Sequence, residues 1–306
     1  MWNDATRRVD DQLRPRGLSS TEHALVGHPS KALAHRSVSI VLPAHNEEAV
    51  LEHVVTTCIT TLDRLRADFE VIVVNDGSVD STGAVADALA AADSRIRVVH
   101  TVTNVGYGAA LRAGFAAASK STVFFMDSDG QFDIAEIEQF LQLSAEGHAV
   151  VIGYRARRED ALLRKLNAWA WNRLVRSTLR FKVRDIDCAF KLYDAHLLRA
   201  LDVQSTGAMI NAEMLAKLAR MGIAPCEVPV THYPRTAGQP SGANVRVILR
   251  AFRELSRFRD ELLTWQPAGA GMPQSDTAVQ FQAAEERQLA GAPLMREPAV
   301  VAQAAQ

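Results

Sequence analysis

Residues 121–133 read STVFFMDSDGQFD, and the fold assignment starts from them. The first half is an apolar run with β-branched and aromatic residues, which is typical of a strand buried on both faces. Two carboxylates, Asp127 and Asp129, follow two positions apart, and Gly130 favours a turn after them. Side chains alternate along an extended chain, so both carboxylates point the same way and Ser128 points the opposite way. We therefore predict a strand over 121–129 that ends in a pair of acids.

The same alternation of apolar runs and helical spacing extends along the chain on both sides of this strand. The predicted strands are 37–44, 69–76, 96–100, 121–129 and 148–154. The predicted helices are 47–66, 80–92, 107–119, 133–146 and 160–180. Strands that are apolar on both faces and joined by helices predict an α/β fold, with a mostly parallel sheet and helices on both of its faces.

The composition excludes several classes of protein. Of the 306 residues, 48% are hydrophobic and 23% are charged, which is the balance of a soluble globular protein. The formal net charge of −1 excludes binding to nucleic acid through bulk positive charge. The three cysteines are widely spaced and indicate neither a zinc site nor a disulfide framework. No signal-peptide core and no run of about 18 apolar residues is present, so we expect a cytoplasmic protein without a transmembrane helix.

The chain divides into three parts by composition. Residues 1–36 are polar and contain several Gly and Pro residues, which predicts a flexible arm. Residues 37–265 hold the predicted strands and helices and form one expected domain. Residues 266–306 are rich in Ala, Gln, Gly and Pro and have few large apolar side chains, which predicts a disordered tail.

The pair of acids after the fourth strand is the strongest chemical signal. Two like charges side by side are costly unless a cation or a proton lies between them. Carboxylate oxygens suit Mg²⁺ or Mn²⁺, and magnesium often binds one or two carboxylates together with substrate phosphates. Asp127 and Asp129 are therefore candidate metal ligands. The alternative is a turn with solvated acids, for which the D-S-D-G composition is also well suited.

Polar residues also follow the first two strands, where ligands bind in open α/β sheets. Asp76 lies in VVNDGSVD (73–80) and could accept hydrogen bonds from a ribose or a base. Asn46 and Glu47 lie in PAHNEE (43–48) and could contact the edge of a nucleotide. Helix caps and turns explain both strings without a ligand.

The string NVGYGAALRAG (104–114) does not match a dinucleotide fingerprint. Its third glycine position is Leu111, and it follows a later strand rather than the first. We therefore expect Gly106 and Gly108 to allow close packing of a helix on the sheet.

Residues 155–184 contain ten Lys or Arg residues and two acidic residues, a local net charge of +8. Leu and Trp residues at near-helical spacing make this segment amphipathic, which suits an anionic membrane surface or a phosphate-bearing acceptor. A packed helix with a solvated charged face is the alternative.

Further candidate residues lie in the second half of the chain. In RDIDCAFKLY (184–193), Asp185 and Asp187 could orient an acceptor or act as a base, or Asp185 could pair with an arginine. Glu213 lies in a predicted amphipathic helix, where a solvated acid or an acid at the helix N-terminus is the default expectation. Arg235 lies in a Gly- and Pro-rich loop of the kind that folds over a bound ligand.

Together these motifs resemble family 2 glycosyltransferases of the inverting GT-A type, closest to the polyprenyl-phosphate (dolichyl-phosphate) sugar synthases. The resemblance spans about Ser37 to Arg250. It implies a nucleotide pocket lined by Pro43, Asn46, Glu47 and Asp76. It implies a metal and diphosphate site at Asp127, Asp129 and Gln131. The motifs of the family also match Asp185 and Arg235, whereas Tyr107 stands where relatives often have Lys.

The resemblance implies an inverting transfer of a sugar from a GDP- or UDP-sugar, with Mg²⁺ or Mn²⁺ at Asp127 and Asp129. We expect a polyprenyl phosphate acceptor at the membrane surface, with Arg155 and Arg235 offsetting its charge. The protein would then be peripheral on the inner face of the membrane. A sugar hydroxyl acceptor would instead need Asp185 or Asp187 as base, so both count with Asp129 and Arg235 as catalytic candidates.

Two other functions remain open at this point. An aspartyl phosphotransferase would use Asp127 as its nucleophile. A nucleotide-sugar-binding module would bind the donor without turnover.

Overall fold

The structure is a computed structural model that describes residues 37–156, 173, 175–176, 179, 182–234, 255 and 258–267. The predicted arm (1–36), the tail beyond 267, most of the predicted helix 160–180 and Arg235 lie outside the described residues. The boundaries of the expected domain therefore stay predictions.

The described residues form a seven-stranded sheet with helices between its strands. The strands are β1 Ser37–Ala44, β2 Asp68–Asp76, β3 Ile96–Thr101, β4 Thr122–Met126, β5 Val150–Arg155, β6 Phe190–Asp194 and β7 Cys226–Val230. The helices are α1 Leu51–Arg64, α2 Thr82–Ala92, α3 Tyr107–Ala117, α4 Ile137–Ala145 (after a 3₁₀ turn at Ile134–Glu136), α5 Ala195–Ala200 and α6 Ile210–Arg220. No helix among these residues is both long enough and apolar enough to cross a membrane.

The strand order is β3-β2-β1-β4-β6-β5-β7. β6 pairs antiparallel with both of its neighbours, and every other pair of adjacent strands is parallel. The expected α/β fold with a mostly parallel sheet is confirmed. β6 runs in the opposite direction to the other six strands, so its first residue lies at the edge where they end.

The core explains why these segments become strands. Consecutive residues of β1, such as Val38, Ser39, Ile40 and Val41, are all fully buried, so both faces of the sheet are covered. The hydroxyl of Ser39 donates a hydrogen bond to the Glu70 carboxylate at 2.6 Å, which explains how a polar side chain is accommodated in that core.

Aromatic packing supports the strand that precedes the pair of acids. Phe124 on β4 contacts Phe190 on β6 edge-to-face with ring centroids 4.6 Å apart, and Phe140 on α4 contacts Phe190 at 5.0 Å. Such pairs stabilise a core beyond their area burial by about 1 kcal/mol each. The end of β4 is therefore supported by tightly packed aromatic side chains.

Candidate active site

The candidate site lies at one edge of the sheet. Six strands end at this edge, and reversed β6 begins there. The expected strand over 121–129 ends earlier, at Met126, so Asp127, Ser128 and Asp129 belong to the following loop. The Ser128 hydroxyl donates to the Pro43 carbonyl at 2.7 Å, and Gly130 has a φ of 73°. These two features turn the chain away from the strand direction.

Asp129 lies close enough to Asp127 for its charge to act on that carboxyl group. Burial and the negative charge of Asp129 together raise the pKa of Asp127 to about 7, against the opposing influence of Tyr107, Arg155 and Lys191. Asp129 is buried, and its carboxylate accepts a hydrogen bond from the Gln131 amide at 3.1 Å. The pair is therefore a desolvated anionic site at the end of β4, and a cation would stabilise its charged form.

The loop after β4 is tied to the segment after β7. The Gln131 side-chain amide donates to the Tyr233 carbonyl at 2.8 Å, and the Tyr233 amide donates to the Gln131 carbonyl at 2.8 Å. Phe132 and His232 form a β-bridge beside this contact. Arg235, which follows Pro234 in the sequence, lies outside the described residues, so its predicted role stays a prediction.

The loops after β1 and β2 are bonded to each other. Asn46 has a left-handed φ of 57°, and its side-chain oxygen accepts from the Val79 amide at 2.9 Å. The Glu47 amide donates to the Thr82 hydroxyl at 2.8 Å. The first helix begins at Leu51, later than predicted, because 45–50 form this loop. The structure thus places Asn46 and Glu47 together beside the end of β2.

Asp76 positions the start of α3. Its carboxylate accepts from the amides of Val105 and Gly106 at 2.8 and 3.0 Å and from the Thr101 hydroxyl at 3.1 Å. The residue is buried at 4% exposure, so it is built into the wall of the site. From the sequence, Asp76 was a candidate for contact with a ribose or a base, and the structure adds a positioning role for the same carboxylate.

The glycines at the start of α3 do permit close packing, but against a loop rather than the sheet. A Cβ on Gly108 would lie 2.6 Å from the carbonyl oxygens of Ser205 and Gly207, and one on Gly106 would lie 2.6 Å from the Thr206 carbonyl. The expected helix–sheet contact is therefore corrected to a helix–loop contact. Gly114, further along α3, packs against the sheet instead. A Cβ on Gly114 would lie 2.3 Å from the Val41 side chain on β1.

Arg155 and Asp185 form a buried ion pair across the site. The Arg155 Nε and Nη2 groups donate to the two Asp185 carboxylate oxygens at 2.7 and 2.8 Å. Burial alone would lower the pKa of Arg155, but the pairing with Asp185 raises it above its ordinary value. Of the two roles considered for Asp185, the structure places it in the arginine pair. Asp187 is partly buried two residues further along.

Glu213 lies in the first turn of α6, which is one of the two expected positions for this acid, but it is buried rather than solvated. It is 1% exposed, and its carboxylate accepts from Lys217 Nζ at 2.7 Å and from the amides of Gln204 and Ser205 at 2.8 and 2.7 Å. The burial has a physical reason: every residue of α6 from Ile210 to Leu218 is buried, so Glu213 and Lys217 lie inside, whereas Arg220 at the end of the helix is exposed. Glu213 holds the loop that packs against α3.

Three residues near the pair of acids received no role from the sequence. Lys191 on β6 is fully buried, Asn211 on α6 is 4% exposed, and the Tyr107 hydroxyl on α3 is buried next to Asp127. The one sequence feature that pointed to any of these residues was Lys191, a lysine between the apolar residues of the strand sequence FKLY. A buried lysine needs partners, which local sequence does not reveal.

Comparison with known proteins agrees with this fold. The model of glycosyl transferase family 2 matches residues 39–203. The chain is 36% identical over 207 residues to glycosyltransferase AglD of Haloferax volcanii, which covers 65% of this chain and 33% of that protein. It is 30% identical over 223 residues to the undecaprenyl-phosphate 4-deoxy-4-formamido-L-arabinose transferase of an Enterobacter species, which covers 72% of this chain and 66% of that one.

The architecture also resembles glucosyl-3-phosphoglycerate synthase of Mycobacterium tuberculosis. Its complex with Mn²⁺, UDP-glucose and phosphoglyceric acid matches with a TM-score of 0.52 and 26% identity, over 86% of this chain and 88% of that one. A complex of the same enzyme with Mg²⁺ and UDP matches with a TM-score of 0.53. The fold of this chain is thus of the GT-A type.

This chain belongs to glycosyl transferase family 2. It spans a third of the length of the first relative and about two thirds of the second. Membership of this family favours a glycosyltransferase over the aspartyl phosphotransferase that was considered from the sequence.

Proposed function

We propose that the chain transfers a sugar from a nucleotide-diphosphate sugar to polyprenyl phosphate, with inversion at the anomeric carbon. The observation that supports this most is the desolvated pair of Asp127 and Asp129 at the end of β4, beside the loops after β1 and β2. The relative that is named an undecaprenyl-phosphate sugar transferase supports the choice of acceptor.

The residues at the pair of acids fit a divalent cation. The donors are carboxylate oxygens, which Mg²⁺ and Mn²⁺ prefer, and Asp127 resists ionisation without a compensating charge. Within the described part of the chain, no group of three or more His, Cys, Asp or Glu residues could hold a metal. Asp127 and Asp129 would therefore be the residues of this chain that hold the cation. When bound, the cation would neutralise charge on the departing diphosphate.

The chain itself would bind the nucleotide with the loops after β1 and β2. Asn46 and Glu47 would line the pocket from one side, and the wall that Asp76 holds in place would line it from the other. Since these loops are cross-linked by hydrogen bonds, the pocket is organised before the donor arrives, which lowers the cost of binding. Pro43 would contribute through its carbonyl, which fixes the loop of Asp127 and Asp129.

The acceptor phosphate would attack the anomeric carbon as its own nucleophile. A phosphate oxygen forms the new bond to that carbon, and the bond to the donor diphosphate breaks with its electron pair. No proton has to be removed from a phosphate that is already ionised, so no base is needed. This matches the site, because Asp185 is engaged with Arg155 and would lose a strong ion pair on accepting a proton.

Arg155, Asp185 and Arg235 would position the acceptor. The Nε and Nη2 groups of Arg155 donate to Asp185, and this ion pair fixes the orientation of the guanidinium. The Nη1 group of Arg155 lies outside this ion pair. Arg235 follows directly on the segment that is bonded to Gln131 and would offset the charge of the phosphate. The basic segment 155–184 would hold the protein against an anionic membrane as a peripheral protein.

A sugar or other hydroxyl acceptor is the second candidate, favoured by the likeness to a synthase whose structure contains phosphoglyceric acid. That reaction would need a base, for which Asp185 and Asp187 are the two predicted carboxylates, and Asp185 would have to leave its pair with Arg155 to act as one.

The test is transfer activity with defined acceptors. Full-length protein with Mn²⁺ and a panel of UDP- and GDP-sugars is given either undecaprenyl phosphate in detergent or phosphoglyceric acid, and products are identified by mass spectrometry. We expect a sugar-phosphate lipid, no product with Asp129→Asn, and normal product with Asp133→Asn. Asp133 is the matched control because it only caps the 3₁₀ turn, a role that Asn can also fill.

Other outcomes of this experiment would contradict the proposal. Transfer to phosphoglyceric acid alone would overturn the lipid acceptor. Binding of the donor without any product would favour the non-catalytic binding module. Salt-sensitive flotation of the protein with anionic vesicles tests the membrane contact separately.

A further inference from the structure

Two asparagine side chains hold the loop 77–79, which follows β2 at the edge of the candidate site. The Asn46 side-chain oxygen accepts from the Val79 amide at 2.9 Å, and the Asn46 backbone amide donates to the Ser78 hydroxyl at 3.1 Å. The Asn75 side-chain oxygen accepts from the Ser78 amide at 3.2 Å. Because each side-chain oxygen is bonded to the loop, the NH₂ group of each asparagine points elsewhere.

A histidine ring receives the NH₂ group of Asn46. His45 Nδ1 lies 2.8 Å from the Asp76 carbonyl oxygen, and His45 Nε2 lies 3.3 Å from Asn46 Nδ2. A carbonyl oxygen only accepts, so Nδ1 carries the hydrogen; an NH₂ group only donates, so Nε2 is the bare acceptor. His45 is therefore neutral in this arrangement, and its ring joins the end of β2 to the side chain of Asn46.

His100 on β3 receives the NH₂ group of Asn75 in the same way, with its two ring nitrogens exchanged. His100 Nε2 lies 2.9 Å from the Asp87 carboxylate on α2, so Nε2 carries the hydrogen. His100 Nδ1 lies 3.0 Å from Asn75 Nδ2 and is the acceptor. One histidine thus accepts from its asparagine through Nε2 and the other through Nδ1.

The register of the sheet brings these pairs together. Ala44 pairs with Asn75 between β1 and β2, so His45, the next residue, lies beside Asp76. Asn75 in turn pairs with His100 between β2 and β3. Because the contacts between these three strands form only in the folded sheet, the sequence gave no role to either histidine.

The histidines decide which way each asparagine side chain faces. A carboxamide has nearly the same shape on both sides, so its hydrogen-bond partners determine whether its oxygen or its nitrogen faces the loop. In the rotated state the NH₂ group would face the Val79 or Ser78 amide, and two donors would oppose each other. A bare ring nitrogen on the other side therefore keeps each asparagine oxygen on the loop.

We infer that His45 and His100 are positioning residues for the nucleotide pocket, acting through Asn46 and Asn75 on the loop 77–79. The inference rests on the proposed function, which places the nucleotide at the loops after β1 and β2. Neither ring has to touch the donor. Each ring holds the loop in one conformation before the donor arrives, which lowers the cost of binding.

The test replaces each histidine by Asn and by Gln, because these residues imitate different ring nitrogens. The amide of Asn reaches about as far as Nδ1 and that of Gln about as far as Nε2, and each can present its oxygen as an acceptor. His45→Gln and His100→Asn should therefore keep the binding of nucleotide. His45→Asn and His100→Gln should each weaken it by about 5-fold, because the asparagine loses its acceptor.

The measurement is calorimetry of UDP and GDP with Mn²⁺ on the full chain, for the unmodified protein and the four variants. Thermal melting checks that each variant is folded at the temperature of the measurement. The two substitutions at one position are matched controls for each other, and the expected order is opposite at the two positions. A general structural defect would not produce this opposite order.

The outcomes separate this inference from the proposed function. If the unmodified protein binds neither UDP nor GDP in the presence of Mn²⁺, the proposed function fails and the inference fails with it. If it binds, and Asn and Gln have equal effects at both positions, the inference alone is overturned. The pattern at one position remains a complete test for that histidine when a variant at the other does not fold.

Discussion

Glu70 joins three segments at the edge of the sheet opposite the candidate site. Its carboxylate accepts from the Ser39 hydroxyl at 2.6 Å, the Ser119 amide at 2.7 Å and the Arg97 guanidinium at 3.0 Å. Burial alone would raise the pKa of Glu70, but these hydrogen bonds outweigh it and lower the pKa to about 2. The ionised carboxylate is therefore a stabilising component of the fold.

The pKa of Glu70 predicts how stability depends on pH. Because the folded pKa lies below the ordinary 4.5, this stabilisation is complete above about pH 4.5 and is lost as the pH falls towards 2. Allowing for partial screening by solvent, it amounts to about 2 kcal/mol. Glu70→Gln should lower the free energy of unfolding by about this amount at pH 7, measured by urea denaturation, with a difference that shrinks towards pH 2.

The control for this prediction is Glu138→Gln. The Glu138 carboxylate makes a surface ion pair with Arg64 at 3.6 Å, and both side chains are largely exposed to solvent. Its effect should stay below about 1 kcal/mol at every pH. A Glu70→Gln variant with a pH-independent loss would refute the ionic explanation.

Some site residues could be predicted from sequence and others could not. Asp127 and Asp129 were visible because two acids at strand spacing after an apolar run are a local pattern. The ion pair of Asp185 with Arg155 joins residues 30 positions apart, so the sequence left it as one of two alternatives. Glu213 and Lys217 lie at i and i+4, which is also the spacing of an exposed helical ion pair, so their burial was not visible.

At the scale of elements, α6 and the loop 202–208 position the start of α3. Glu213 and Lys217 on α6 bind the loop through the Gln204 and Ser205 amides and the Asp202 carbonyl. The Thr206 carbonyl of the loop then accepts from the Ala109 amide of α3 at 3.1 Å. The buried ion pair therefore supports the helix that presents Tyr107.

Breaking this ion pair on one side should be strongly destabilising. Glu213→Gln leaves the Lys217 ammonium without its carboxylate in a buried place, which should lower the free energy of unfolding by about 3 kcal/mol. The measurement is chemical denaturation of the purified protein at neutral pH.

The matched control is Asp68→Asn, which removes the carboxylate of the Lys120–Asp68 pair, where Asp68 is largely exposed. Its cost should be below about 1 kcal/mol. Equal losses in the two variants would show that the buried pair has no special role.

The sequence predicted the first five strands because each is a compact apolar run. It did not predict β7, since CEVPV contains Pro229 and is only partly buried. Proline is tolerated in strands mainly at sheet edges, and β7 is indeed an edge strand. The helix predicted to begin at residue 47 begins at Leu51 instead, because residues 45–50 form a polar loop after β1.

At the scale of the whole molecule, the reversed direction of β6 assembles the site. The parallel strands deliver Asn46, Asp76, Asp127 and Arg155 to one edge at their ends. β6 delivers Asp185 and Asp187 to the same edge because it begins there. Hydrophobic periodicity gives no strand direction, so this part of the architecture could not be predicted from the chain alone.

Mn²⁺-dependent binding of a nucleoside diphosphate, measured by calorimetry on the full chain, tests the proposed metal site at Asp127 and Asp129. If the two acids hold a cation, the unmodified protein and Asp133→Asn bind UDP or GDP only when Mn²⁺ is present. Asp127→Asn and Asp129→Asn should remain folded but lose this binding, because each removes a carboxylate from the pair at the end of β4. Undiminished Mn²⁺-dependent binding by both variants would rule out the metal site.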